Sequence, residues 1–219
     1  VVKLKFKADK QEDVESLVQE IKNNLRDKIE YAEPNFIAYT SFVPNDVRYS
    51  EQWAHQKTQA QQGWDVHQGD SNIVIAIVDT GVEYDHEDLI DNVWRDSQGN
   101  PGKDFVDIII QDYTNSGFVL IPEEDYTEID NDPSDYNGHG THVAGIVAAK
   151  GNNEKGVAGV CWNCKIMPVR AGFSMKHPSY CPNGCGLLES DDIANAITYV
   201  ADNNANIISM SFGGSESQL

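Results

Sequence analysis

Three hydrophobic patterns follow one another along the 219 residues. The opening VVKLKF alternates, with Val2, Leu4 and Phe6 on one face and Lys3, Lys5 and Lys7 on the other, which predicts a half-buried strand. Asp9 and Glu12 are spaced like a capping box. Val14, Leu17, Val18, Ile21 and Leu25 then recur at helical intervals, with charged residues on the opposite face. IEYAEPNFIAY reads as a second strand, lying at an edge or interrupted by Pro34. Residues 1–41 are thus expected to form a strand–helix–strand unit. It is too short to bury a core of its own and needs another surface.

The pattern changes after SFVPNDVRYSEQW. IVIAIVD (73–79) is an almost unbroken apolar run ending in an acid, as suits a parallel strand covered on both faces. KIMPVRA (165–171) and NIISMS (206–211) repeat that character. Between them, SDDIANAITYVADNN predicts an amphipathic helix with Ser190 at the N-cap and acids in the first turn. Such strand–helix alternation predicts an α/β domain over residues 42–219, built on a parallel sheet.

Charge sharpens this picture. The chain carries a formal net charge of −19. Residues 1–41 hold 7 Lys+Arg against 8 Asp+Glu, whereas Asp79 to Asp135 hold 17 acids and 2 bases. That surplus repels nucleic acid and anionic membranes, so neither is expected as a partner. It attracts cations, and carboxylates are the donors that calcium takes; solvated acidic loops are the plainer reading. No run of eighteen apolar residues is present, and VVKLKFKADK lacks the apolar block of a signal peptide. The cysteines stand as Cys161-x2-Cys164 and Cys181-x3-Cys185, a spacing open to disulfides, to zinc or to free thiols.

Two short motifs carry the chemistry. Asp79, in VDTGV, ends an apolar strand, and ligands of open parallel sheets gather at such strand ends; taken alone it reads more readily as a helix cap or turn acid. In NGHGTHVAG, His139 opens a helix whose early residues Gly140, Thr141, Ala144 and Gly145 are small. Those residues allow close approach to the sheet, and the flanking glycines leave one side of the imidazole free. An acid at a strand end and a histidine at a helix start supply two members of a charge-relay site. His139 and His142, at i and i+3, could instead share a metal, for which the acidic loop would have to supply further ligands.

VDTGV, NGHGTHVAG and ISMSFGG, in that order, resemble the subtilisin-like serine proteases, the subtilases. PNDVRYSEQWAHQKTQAQQGWDV and GVAGVCWNCKIMPVRA resemble the thermitase-type branch. The likeness runs from about residue 42 to 214. It implies a parallel-sheet subtilisin-like catalytic domain, here its N-terminal half, with Asp79 as the orienting acid and His139 as the general base. Ser211, Phe212 and Gly213 match the segment that pairs with extended protein or peptide substrates and borders the P1 pocket. Asp46, Asp88 and Asn153 match a structural calcium site, and Asp125, Asp130, Asp132 and Asp135 are candidates for a second.

KIEYAEPNFIAY resembles the end of a subtilase propeptide, an inhibitor that binds its own catalytic domain, with self-cleavage expected near Thr40 to Phe42. The family also implies secretion, and a monomer is expected. Subtilases place the oxyanion asparagine and the nucleophilic serine in a later GTSMA-like motif that these residues do not contain. The 219 residues alone are therefore expected to be inactive. FSMKHPSYCPNGCGLL is an insert between strand and helix that either borders the outer substrate subsites, stapled by Cys181 and Cys185, or decorates the surface. The competing readings are a pseudoprotease or inhibitor-like binding module, and a calcium sensor of other ancestry.

Overall fold

The computed structural model describes residues 11–34 and 43–214. It divides into two compact units, Val1–Thr40 and Ser41–Leu219. In the first, helix α1 spans Gln11–Asn24. Val14, Leu17, Val18 and Ile21 are half-buried along it while Asp13, Glu15, Glu20 and Lys22 are exposed, as their spacing requires. Residues 29–34 form no strand, and Pro34 has no N–H to give to a ladder. The strand predicted over residues 1–6, the Asp9 cap, the remainder of IEYAEPNFIAY and the Thr40–Phe42 cleavage point lie outside the described residues.

The second unit runs α2 (Trp53–Lys57), α3 (Ala60–Trp64), β1 (Val74–Asp79), β2 (Lys103–Asp104), α4 (Ile110–Asn115), β3 (Val119–Leu120), α5 (His139–Ala148), β4 (Lys165–Arg170), β5 (Gly172–His177), β6 (Cys181–Leu188), α6 (Ser190–Asp202) and β7 (Ile207–Ser209). Strands β2, β4, β1 and β7 form a parallel sheet in that order. Alternation within the apolar run of β1 sends side chains to both faces. Ile75 and Ile77 join Leu89, Ala144, Ala148 and Ile166 on the α5 side. Ala76 and Val78 join Met167, Val169, Ala196 and Val200 on the α6 side. A strand buried on both faces has no polar positions, which is why its sequence shows no alternation.

Helix α6 begins one residue earlier than its sequence suggests. Glu189 occupies the N-cap position without a capping side-chain bond, and Ser190 is already helical. The cysteines form two disulfides, Cys161–Cys164 and Cys181–Cys185, and none is free. The insert is not an irregular loop: β5 and β6 pair antiparallel as a hairpin, with β3 on the other edge of β5. Phe173 and Met175 of this hairpin are fully buried against Val106, Ile108 and Tyr126. No helix among the described residues is long and apolar enough to cross a membrane.

Candidate active site

Strand β1 ends in Asp79, and the chain then turns through Gly81, whose φ of +106° is open to glycine and strained for other residues. Helix α5 starts directly above that turn. A Cβ on Gly140 would overlap the carbonyl oxygen of Gly81 and stand 3.0 Å from Asp79 Cβ, so the small residue at this position sets how near the helix comes. This approach brings His139 Nδ1 to 2.7 Å from Asp79 Oδ1. The Asp79 side chain is 3% exposed and that of His139 49%. One group is shielded and the other faces solvent, as an orienting acid and a working base require.

A carboxylate only accepts, so the bond holds the imidazole proton on Nδ1 and leaves the Nε2 lone pair outward. Asp79 Oδ1 also accepts the Thr80 N–H at 2.8 Å, while Oδ2 is buried without a partner.

Asp135 ties the two turns together. Its Oδ1 accepts from Thr80 Oγ1, Asn137 N and Gly138 N, each at 2.9 Å. Its Oδ2 accepts from Thr141 N at 2.9 Å and Thr141 Oγ1 at 2.6 Å. The Thr80 hydroxyl in turn accepts the Gly140 N–H at 3.1 Å. Asp135, a sequence candidate for a cation ligand, is thus engaged at the start of the helix that begins with His139: Gly138 holds the N-cap position, and Asp135 takes the Thr141 N–H of the first turn from outside. An acid just ahead of a helix start was the available signal, hidden among many other acids. Asp125, Asp130 and Asp132 are likewise engaged, accepting main-chain or hydroxyl donors of their own loop.

Arg170 ends β4 in register with Asp79 and is 1% exposed. It pairs with Asp104 and with Glu124, the latter at 2.8 Å, and donates to the Asp125 carbonyl at 2.7 Å. Burial pushes the Asp104 carboxyl up to about 6 against the pull of Arg170, and pushes Glu124 up as well. Glu124 also accepts the Ser174 N–H, and Ser174 Oγ accepts from the Asn137 side chain at 2.8 Å. One buried network thus reaches from β2 to the turn before His139.

Asp46 and Asp88 lie apart from this pair and are 4% and 2% exposed. They share one loop: Asn152 N donates to Asp46 Oδ2, Val157 N to Asp88 Oδ2, and Asn153 Nδ2 to Asp88 Oδ1, each at 2.8 Å. Neither is paired with a cationic side chain among the described residues, and Asp46 Oδ1 is buried with no hydrogen-bond partner. Two buried acids and an orphaned oxygen suit a hard cation held by carboxylate and carbonyl oxygens. No group of three His, Cys, Asp or Glu side chains that could hold a metal occurs among the described residues. His139 Nδ1 is taken by Asp79, and His142 stands in no such group, so a cation at Asp46 and Asp88 would depend on those two acids, Asn153 and main-chain oxygens. Ser211 and Gly213, beyond the end of β7, are exposed, while the Phe212 ring packs against the α6-side core.

Residues 70–219 match the family model described as the subtilase family. The chain belongs to the subtilases. It is 40% identical over 213 residues to the thermophilic serine proteinase of Bacillus sp. (strain AK1), covering 97% of this chain and 43% of that protein. It is 38% identical over 174 residues to thermitase of Thermoactinomyces vulgaris, covering 79% of this chain and 49% of that one. Among solved structures, a protease from Pseudoalteromonas arctica PAMC 21717 matches with a TM-score of 0.60 and 30% identity, over 80% of this chain and 52% of that chain. The chain thus spans less than half the length of either sequence relative. Within this subtilase unit, the Asp79 and His139 motifs lie inside the matched residues, as does Asp88; Asp46 lies before them.

Proposed function

We propose that this chain belongs to a secreted serine endopeptidase and supplies its acid and base. Asp79 orients His139, and His139 Nε2 removes the proton of a serine hydroxyl as that oxygen attacks the peptide carbonyl. The same nitrogen then returns the proton to the leaving amine. The 2.7 Å bond between a buried carboxylate and a half-exposed imidazole supports this reading above all else. No GTSMA-like motif lies within residues 1–219, so the nucleophile is not one of them. Their part is to fix the tautomer and aim the base.

Protein or peptide substrates would lie along Ser211, Phe212 and Gly213, exchanging main-chain hydrogen bonds in the manner of an added strand. Asp46, Asp88 and Asn153 would hold a structural Ca2+, whose charge would offset the two buried acids. Residues 1–41 would act as the propeptide part, bound to the catalytic domain of the same chain, and the mature protein would be monomeric. The test is Asp79→Asn in the full-length protein. An amide can donate to Nδ1 and so favours the wrong tautomer, and kcat should fall by about 10⁴-fold with the fold retained. Turnover within a few-fold of wild type would refute the assignment.

A further inference from the structure

We propose that Asp135 is a positioning residue for the Asp79–His139 pair, acting through the Thr80 and Thr141 hydroxyls; this rests on the peptidase reading above. Its five hydrogen bonds divide between the two halves of the site. One goes to Thr80, the residue after Asp79; two go to Asn137 and Gly138, just before His139; two go to Thr141, just after it. Each hydroxyl passes the tie onward. Thr80 Oγ1 accepts Gly140 N, and Thr141 Oγ1 accepts Glu83 N from the loop following β1, at 2.9 Å. The helix start and the strand end are thus held by one carboxylate, on both sides of the histidine.

An ordinary helix cap satisfies its own helix and stops there. Asp135 also holds the turn carrying the acid, so its loss should change the separation and angle of the pair as well as fraying α5. All five partners donate, which demands an acceptor at every position. An asparagine would turn its NH2 against an N–H donor whichever way it is flipped.

The experiment compares Asp135→Asn with wild type in the full-length protein. The controls are Asp79→Asn and Asp96→Ala. Asp96 accepts from Gln98 and Asn100 within its own loop and touches neither turn of the site. For Asp135→Asn, kcat should fall about 10- to 100-fold with KM within about twofold, since misplacement of a base acts on the reacting geometry. The Nδ1 proton resonance of His139 should shift or broaden.

Asp96→Ala should lower Tm without moving the resonance or kcat. If Asp135→Asn behaves as Asp96→Ala does, losing only Tm, Asp135 is a helix cap and the proposal is overturned. If Asp135→Asn does not fold, Thr80→Val decides by the same readouts, because it deletes the hydroxyl that joins Asp135 to Gly140. If wild type cleaves no peptide, the peptidase reading fails, and the resonance alone decides whether Asp135 positions the ring.

Discussion

Replacing Asp192 by asparagine should do little below about pH 4 and should stabilise the protein increasingly as pH rises towards 7 and above. Asp192 lies in the first turn of α6 and is 3% exposed, with Oδ2 lacking a hydrogen-bond partner. It accepts the main-chain N–H of Asp107, and Asp191, Glu189 and Asp104 surround it with like charge. Glu189 is also bonded to the Tyr113 hydroxyl at 2.7 Å. Burial first, and then the Asp191 and Glu189 charges, push Asp192 from 3.8 up to about 7. The helix N-terminus would favour the anion, but that benefit is the smaller effect.

Because the folded value lies above the unfolded one, the native state holds a proton that the unfolded chain releases. The associated stability is complete below about pH 4 and is lost as pH rises through about 7. Each tenfold change in proton affinity is worth about 1.4 kcal/mol, so full linkage between pH 5 and pH 8 is on the order of 3 kcal/mol. Local relaxation and water reduce this to about 2 kcal/mol. Asp192→Asn stays neutral throughout and keeps an oxygen for Asp107. Its advantage over wild type should therefore grow by that amount from pH 5 to pH 8. Thermal melts at half-unit steps should show the two curves diverging by roughly 4–8 °C. Parallel curves over the whole range would refute a protonated Asp192.

Two further outcomes concern the metal and the helix approach. Excess chelator should lower Tm, and Asp46→Asn should abolish that response. An ion present at a hundredfold above its Kd adds about 3 kcal/mol to the native state, and an unchanged melt would remove the calcium proposal. Gly140→Ala should cost about 3 kcal/mol despite alanine's helical preference, because its Cβ meets Gly81 and Asp79. Gly145→Ala, in the same helix with open space at its Cβ, should gain about 0.5–1 kcal/mol. Equal urea midpoints for the two variants would contradict the close packing of α5 on β1.

How much of this was legible in the sequence depended on whether the determinant was local. The apolar runs of β1 and β4 and the amphipathic period of α6 could be read directly, since burial on one or two faces writes itself into spacing. His139 could be placed at a helix start from its glycines. The β5–β6 hairpin could not: Pro182, Asn183 and Gly184 make β6 look like a loop, and its strand character comes from pairing with β5. The role of Asp135 was hidden for a related reason. A carboxylate in an acid-rich segment reads alike whether it binds a cation, caps a helix or faces water, and only the approach of Thr80 and Thr141 distinguishes these. Arg170 looked like an ordinary strand end until Asp104 and Glu124, distant along the chain, converged on it.

The acid and the base lie 60 positions apart and touch only because α5 is seated on the turn after β1. No local segment of the nascent polypeptide can therefore bring the two together. Contacts this remote along the chain must meet the entropy of closing the intervening loop. A half-folded molecule therefore holds the carboxylate and the imidazole without the bond that joins them.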